Sequence, residues 1–439
     1  FEVTGLLNGD NEITLLSDNS YPGLPHDAIV YSSAATDETQ TNWNGVLGYL
    51  RLRVEEPVFL SALRIYPDRD GETLTVQAEV SADRFWSGTL LVESDALKKE
   101  KFGAQEYAGY QKKICVQPGL TRFVLEKLPL AGDVRRWDEE EGNLYELTAR
   151  LSAKERQELA SRTETFGVRT FGDNGKGRLA LNGRVIFLRS EANCCEFPET
   201  GHPPMTVEEW IDVLARYRSY GINCMRFHSH CPPEAAFIAA DRMGMLMQPE
   251  LSHWDPVHAF EAPESYAYYL TELKQVILAL ANHPSFVMLT FGNELAAGPV
   301  GHSRMDSMLA LAHELDPTRL YANSSNAHYG DVGVDPESDF LPLRNTSRER
   351  ILPGIPFPGI CGEPMQAAER TARFRGISTT VIRMLHRTTT NPWLKFGRST
   401  PNPYSALRWD SSRCFRTSMS WRLFRGFLIR PTCGWCRSG

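Results

Sequence analysis

The stretch SFVMLTFGNEL, residues 285–295, closes an apolar run on an amide, Asn293, and a carboxylate, Glu294. A run of strand length rich in Val, Phe and Thr reads as a strand buried on both faces. A carboxylate behind it then sits at the rim of a sheet, where parallel α/β folds keep their chemistry. The bland alternative is a turn that happens to be polar. Other ionisable groups stand behind apolar runs of their own. Arg189 closes RVIFLR (184–189), Arg226 and His228 end and follow INCMRF (222–227), Glu250 closes MLMQPE (245–250), and Asn323 lies in RLYANSS (319–325). For Arg226 and His228 the structural alternative is a salt bridge to Glu250 or Glu191 under the rim.

The elements that must position these groups alternate from about residue 180. Thr206, with Glu209 three places on, forms a capping box that opens one helix. A second helix is expected near 233–243. A third carries Leu270, Leu273, Val276, Ile277 and Leu280 on one face, and a fourth carries Met305, Met308, Leu309 and Ala312. Five βα units in tandem imply a parallel sheet, and polar groups gathered at the C-terminal strand ends mark a (β/α)₈ active site. GDNGKG (172–177) precedes a strand rather than opening a helix, so it reads as a turn and not a phosphate loop. Upstream, NEITLLSDN (11–19), FLSALRIYP (59–67), TLTVQAEVS (73–81), TRFVLEKL (121–128) and NLYELTARLS (143–152) are short alternating runs of β-sandwich type.

The chain has 439 residues, 42% hydrophobic and 23% charged, which implies a soluble protein of two or three domains. No run of eighteen apolar residues occurs, so no membrane span is expected. The compartment is left open, since the sequence starts at Phe1 rather than at a methionine. Residues 1–363 carry 33 Lys and Arg against 52 Asp and Glu, an acidic body that argues against nucleic acid as partner. Cys194 and Cys195 are adjacent, and Cys115, Cys224 and Cys231 are scattered, expected reduced or buried. The lone CGWC (433–436) is weak evidence for redox or zinc chemistry. No metal or cofactor is expected.

In this order the motifs resemble glycoside hydrolase family 2, which includes β-galactosidases, β-glucuronidases and β-mannosidases. TQTNWNGVLG (39–48) resembles the end of the family's sugar-binding jelly roll. WDEEEGNLYELTARL (137–151) resembles the last strands of its immunoglobulin-like domain, and FGVRTF (166–171) the entry to its barrel. LNGRVIFLR (181–189), NCMRFHSH (223–230) and NHPSFVMLTFGNE (282–294) resemble barrel strands one, two and four. Ser190 stands where the family usually has glycine. The resemblance implies a multidomain β plus α/β chain: part of a jelly roll over 1–50, an immunoglobulin-like β-sandwich over 51–165, and an incomplete (β/α)₈ TIM barrel of about five units over 166–343.

It also implies a retaining β-glycosidase of carbohydrate metabolism. Such an enzyme needs a carboxylic acid to protonate the leaving oxygen and a second carboxylate to attack the anomeric carbon. Glu294 matches the acid/base, Asn293 the residue that hydrogen-bonds the sugar 2-hydroxyl, and Arg226 and His228 positions lining the sugar pocket. Trp254 would stack on a sugar face or cap its loop, and His202 is as easily structural. The substrate would be a β-glycoside or oligosaccharide, its sugar unspecified. The nucleophile has no convincing counterpart; Glu363, in PGICGEP, is the one stand-in. The competing reading is therefore a non-catalytic carbohydrate-binding or defective homologue. Asn323 and Asn345 begin glycosylation triplets without evidence of secretion.

Residues 344–439 do not continue the pattern. From 364 onward there are 14 Lys and Arg against 2 Asp and Glu, and over 408–439 neither helix nor strand period is expected. One reading is a basic arm for nucleic acid or an anionic surface; the favoured one is an out-of-frame translation of the C-terminal barrel. Translating the gene from about codon 343 in the other two frames is expected to restore strand–helix alternation and a strand-end Glu. Two further frames without such a pattern would remove the frameshift account.

Overall fold

A computed structural model of the chain describes residues 10–17, 48–102, 105–153, 158–325, 338–340, 415–422 and 428–431, with the single positions 3, 29, 32 and 46. Glu363, Asn345, CGWC and most of 344–439 lie outside the described residues, as does nearly all of TQTNWNGVLG.

Two antiparallel sheets face each other between residues 58 and 166. One orders Val58–Pro67, Thr73–Ala82 and Gly119–Pro129. The other orders Glu158–Phe166, Tyr145–Ser152, Trp86–Glu93, Gln105–Val116 and Lys99–Phe102. Alternation decides the faces: Leu74, Val76, Ala78 and Val80 point inward from one sheet and meet Leu90, Val92, Leu147 and Leu151 from the other in one apolar cluster. Four of these strands carry no clear signal in the sequence. Glu158–Phe166 is polar nearly throughout because only Phe166 is buried on it, and Gln105–Val116 mixes Lys, Gln and Glu into its run. Among the described residues the thiols are free: Cys115 is exposed, Cys194 and Cys231 are half-buried, and Cys195 and Cys224 are buried.

The tail needs a correction. Phe415–Arg422 is a strand paired antiparallel with Asp10–Ser17, and Leu428–Pro431 pairs with Leu52–Glu55. FRTSMSWR does alternate, with Phe415, Thr417, Met419 and Trp421 at one parity and Arg and Ser at the other. Its period of two is masked by the basic composition around it.

A hairpin sheet of Phe171–Asp173, Leu179–Leu181 and Arg184–Val185 follows the sandwich, with GDNGKG in its turn as expected. Arg184–Val185 is thus an antiparallel strand and not the first parallel one, which is Ser190–Asn193. From there the parallel order is sequential: Ser190–Asn193, Cys224–Phe227, Leu246–Gln248, Met288–Thr290 and Leu320–Ala322, with Met247↔Phe286 and Glu250↔Thr290 bridging the third to the fourth. Helices Val207–Ser219, Glu234–Met243, Pro263–Ala279 and Pro299–Leu315 connect them. The Thr206–Glu209 capping box is formed. Tyr269, Leu273 and Ile277, and Met305, Met308, Leu309 and Ala312, are the buried faces of the last two helices, packed on Met225, Met247, Leu289 and Tyr321. Among the described residues no helix is long and apolar enough to cross a membrane.

The sandwich docks on the parallel unit through main-chain atoms. Asn282 accepts the Ile65 N–H at 2.8 Å and donates to the Leu63 carbonyl at 2.9 Å. Buried Arg169 donates to the carbonyls of Pro284, Phe286 and Thr318. Trp137 donates to the Asp241 carbonyl at 2.7 Å, while the Asp241 side chain holds Ser285 N–H at 3.0 Å and His283 Nδ1 at 2.6 Å.

Burial opposes charging of His283, and the Asp241 carboxylate more than reverses it, so the imidazole titrates above its ordinary range. A raised folded-state value means stability that is fully present below about pH 6.5 and lost as pH rises through the folded value. His283→Gln is therefore expected to lower the denaturation midpoint more at about pH 6 than at about pH 9. Equal losses at both would show that the pair is not charge-assisted.

Candidate active site

Strand pleating sorts the parallel sheet into layers. Cys224, Leu246, Met288 and Ala322 share one apolar cluster with Trp137, Leu179 and Leu181 of the preceding segment. Two residues further along each strand, at the same parity, stand Arg226, Gln248, Thr290 and Ser324. The interior thus turns from apolar to polar toward the C-terminal strand ends. Gln248 donates to Ser325 Oγ at 3.3 Å, and Thr290 Oγ1 meets the same hydroxyl at 3.1 Å.

Above this layer the expected residues converge. Arg226 donates from Nε to Glu250 Oε1 at 2.6 Å and from NH2 to Asn293 Oδ1 at 2.7 Å. The other Glu250 oxygen accepts the Ser229 N–H at 2.6 Å. The salt bridge weighed against a functional Arg226 is therefore formed, and the same guanidinium also orients the amide beside Glu294. Side-chain exposure is 15% for Arg226 and 0% for Glu250, so solvent screens the pair little. Burial raises the Glu250 carboxyl, but Arg226 and His228 outweigh it and hold it below the usual range, as an anion.

Glu294 is half-buried and follows Asn293 in a strained turn, its own φ at 51°. Its N–H donates to the Ser325 carbonyl at 2.7 Å, and the Asn293 N–H to the His253 carbonyl at 3.0 Å. Gly292 is required here, because a Cβ would run into the His253 carbonyl oxygen. Trp254 Nε1 donates to Glu294 Oε2 at 3.2 Å, and its ring meets His228 edge-on with centroids 5.1 Å apart. Burial pushes the His228 imidazole below its ordinary value, with Glu250 and Glu294 only partly pulling it back, so it is neutral near pH 7. It then has one donor and one acceptor nitrogen, with Nδ1 3.0 Å from Ser229 Oγ. The four groups Glu294, Asn293, Arg226 and His228 together form one constellation on the ends of strands two to four, with Trp254 over it.

Arg189 does not join them. The parallel strand begins after it, so it lies at the opposite end, bonded to the Gly221 carbonyl and to Asn223. His202 sits apart, its Nδ1 2.8 Å from the Pro203 carbonyl. Asn323 is fully buried, and its Oδ1 accepts from Ser338 at 2.6 Å. The sequence reading missed the support shell of Ser229, Gln248, Thr290 and Ser325, and the buried His253 packed between Phe260 and Tyr269. The parity of Gln248 and Thr290 with Arg226 was the available signal; Ser229 gave none. Among the described residues no group of His, Cys, Asp or Glu is arranged to hold a metal ion.

Residues 176–341 match the TIM barrel domain of the glycosyl hydrolases family 2. A β-galactosidase of Vibrio vulnificus is 26% identical over 190 residues, 42% of this chain and 18% of that protein. A putative β-glucuronidase of Formosa agariphila is 28% identical over 201 residues, 43% of this chain and 18% of its own. The chain thus spans about a fifth of the length of these curated relatives. In fold it is similar to the β-glucuronidase of Bacteroides uniformis, with a TM-score of 0.55, 18% identity, and coverage of 65% of this chain and 37% of that one. It is likewise similar to a galacturonate-bound family 2 β-galacturonidase of Eisenbergiella tayi, with a TM-score of 0.53, 18% identity, and coverage of 65% and 50%. Over residues 176–341 the chain is thus similar to the TIM barrel domain of the glycosyl hydrolases family 2.

Proposed function

We propose that the chain carries the acid/base half of a retaining β-glycosidase site, and that turnover is impaired because no nucleophile is matched. The observation that carries the proposal is the placement of Asn293 and Glu294 at the end of a parallel strand, beside Arg226 and His228, in a barrel domain of this family. In the proposed chemistry Glu294 gives its proton to the glycosidic oxygen as that oxygen leaves the anomeric carbon. A second carboxylate bonds to the same carbon from the opposite face. Water then replaces that carboxylate, returning its proton to Glu294 and its hydroxyl to the sugar. Asn293, its carbonyl oxygen taken by Arg226, would present its NH₂ group to the 2-hydroxyl. Neutral His228 would donate to or accept from a neighbouring hydroxyl without adding charge. The domain reading stays with this proposal: part of a jelly roll over 1–50, an immunoglobulin-like sandwich over 51–165, and an incomplete barrel over 166–343.

The names of the relatives point to a galactoside or a glucuronide as substrate. Incubation with 2-fluoro β-galactosyl and β-glucuronyl reagents is expected to leave no covalent adduct. An adduct located at Glu363 by mass spectrometry would show a complete carboxylate pair and overturn the impairment. Sugar-fused imidazoles of the same two configurations, which take a proton from an in-plane acid, are expected to bind. Glu294→Gln is expected to weaken that binding by about 10²-fold, at the lower end of what general acids contribute. Equal binding by both proteins would remove Glu294 from the role.

Glu250 should act on the site through Arg226. Glu250→Ala leaves a largely buried guanidinium without its anion, a loss of about 3–5 kcal/mol by analogy with other broken buried pairs. Denaturant unfolding checks this, and an unchanged midpoint would show that Arg226 finds water or another carboxylate.

A further inference from the structure

Trp254 was expected to stack on a sugar or to cap its loop; its Nε1 makes a further contact, with Glu294. Its ring stands nearly perpendicular to that of His228, with centroids 5.1 Å apart at 79°, and its Nε1 is directed at Glu294 Oε2, at 3.2 Å. The indole N–H can donate but never accept. It therefore favours every state of Glu294 in which Oε2 is a bare oxygen. We propose that Trp254 is a positioning residue that reserves Oε2 as an acceptor, so that the proton given to the leaving oxygen is carried on Oε1. This rests on the acid/base reading of Glu294.

The surrounding backbone makes the arrangement directional. His253, the preceding residue, holds the Asn293 N–H with its carbonyl, and its buried ring lies between Phe260 and Tyr269, with centroids at 4.4 and 4.3 Å. Asp255, the following residue, accepts the N–H groups of Val257 and His258 at 2.9 and 2.8 Å, and its carbonyl takes the Ala296 N–H at 3.0 Å. The Trp254 backbone is thus fixed from both sides to the segment that carries Glu294. A carboxyl that must alternate between giving and taking a proton at one point in space gains from having one oxygen committed.

The titratable groups about the indole are Glu294 on its N–H, His228 against its ring, His253 and Asp255 on its own loop, and the Arg226–Glu250 pair, which acts electrostatically on His228. The full chain labelled with ¹⁵N at its nine indoles separates them. In the unmodified protein the cross-peak that vanishes in Trp254→Phe is expected to move with pH as a carboxylate on its N–H protonates. In Glu294→Gln the same peak should hold still, whereas a response to His228 or Asp255 would persist. If Trp254→Phe does not fold, the nine indole peaks are followed together, and the absence of any whose titration is lost in Glu294→Gln overturns the proposal. A Trp254 peak that ignores pH, or that titrates unchanged in Glu294→Gln, overturns the proposal. In the imidazole assay, Trp254→Phe should weaken binding about tenfold, less than Glu294→Gln, since the acid remains but its proton is no longer confined to one oxygen. Loss of the acid/base reading would appear differently, as no imidazole binding while the indole still follows Glu294.

Discussion

The bifurcated reach of Arg226 is the constraint on which the site depends. One guanidinium, rising from the second parallel strand, ties the end of the third strand through Glu250 and the end of the fourth through Asn293. Guanidinium geometry suits this, because its donors diverge in one plane and cannot be lost by deprotonation. The desolvation of two charges makes such a pair a poor source of stability by comparison with apolar packing. What it contributes is orientation. With its carbonyl oxygen engaged by Arg226, the Asn293 amide cannot flip without losing a charge-assisted bond.

Around this point the chain accepts local strain. Ser229, which feeds its N–H to Glu250, has φ at 46°, and Glu294 has φ at 51°. Neither is a residue that favours the left-handed region, and such conformations persist where neighbouring bonds over-determine them. Here the bonds are visible: Glu294 N–H to Ser325, Asn293 N–H to His253, and Ser325 N–H to the Gly292 carbonyl. The turn after the fourth strand is closed on two sides by the strands flanking it.

Much of this was legible in the sequence, and the reasons differ by element. Helix faces such as Leu273 with Ile277, or Met305 with Met308 and Ala312, declare themselves because a period of 3.6 survives over several turns. The runs ending at Glu250 and Glu294 are legible because strands covered on both faces are apolar throughout. RVIFLR misled for the same reason, since an apolar hairpin strand looks like a buried parallel one. The true first strand, SEAN, carries almost no apolar signal, since only Asn193 on it is buried. Side-chain pairings such as Trp254 with Glu294 had no signal, because they arise from residues 40 apart whose distance is set by two loops.

The docking of sandwich to barrel has an evolutionary consequence. Asn282 and Arg169 bond to carbonyls and an amide of their partners, not to side chains. Peptide groups do not mutate. Leu63 and Ile65 can therefore drift among residues that fill the sandwich core while still presenting the same main-chain atoms to Asn282. The recognition information in the joint is concentrated in a few side chains, Asn282 from the barrel side and Trp137 and Arg64 from the sandwich side, each reading main-chain atoms opposite. A joint of this kind tolerates divergence of the β-rich partner far better than an interface built from matched side chains, and lets one barrel keep its mount while the domain beneath it is rewritten.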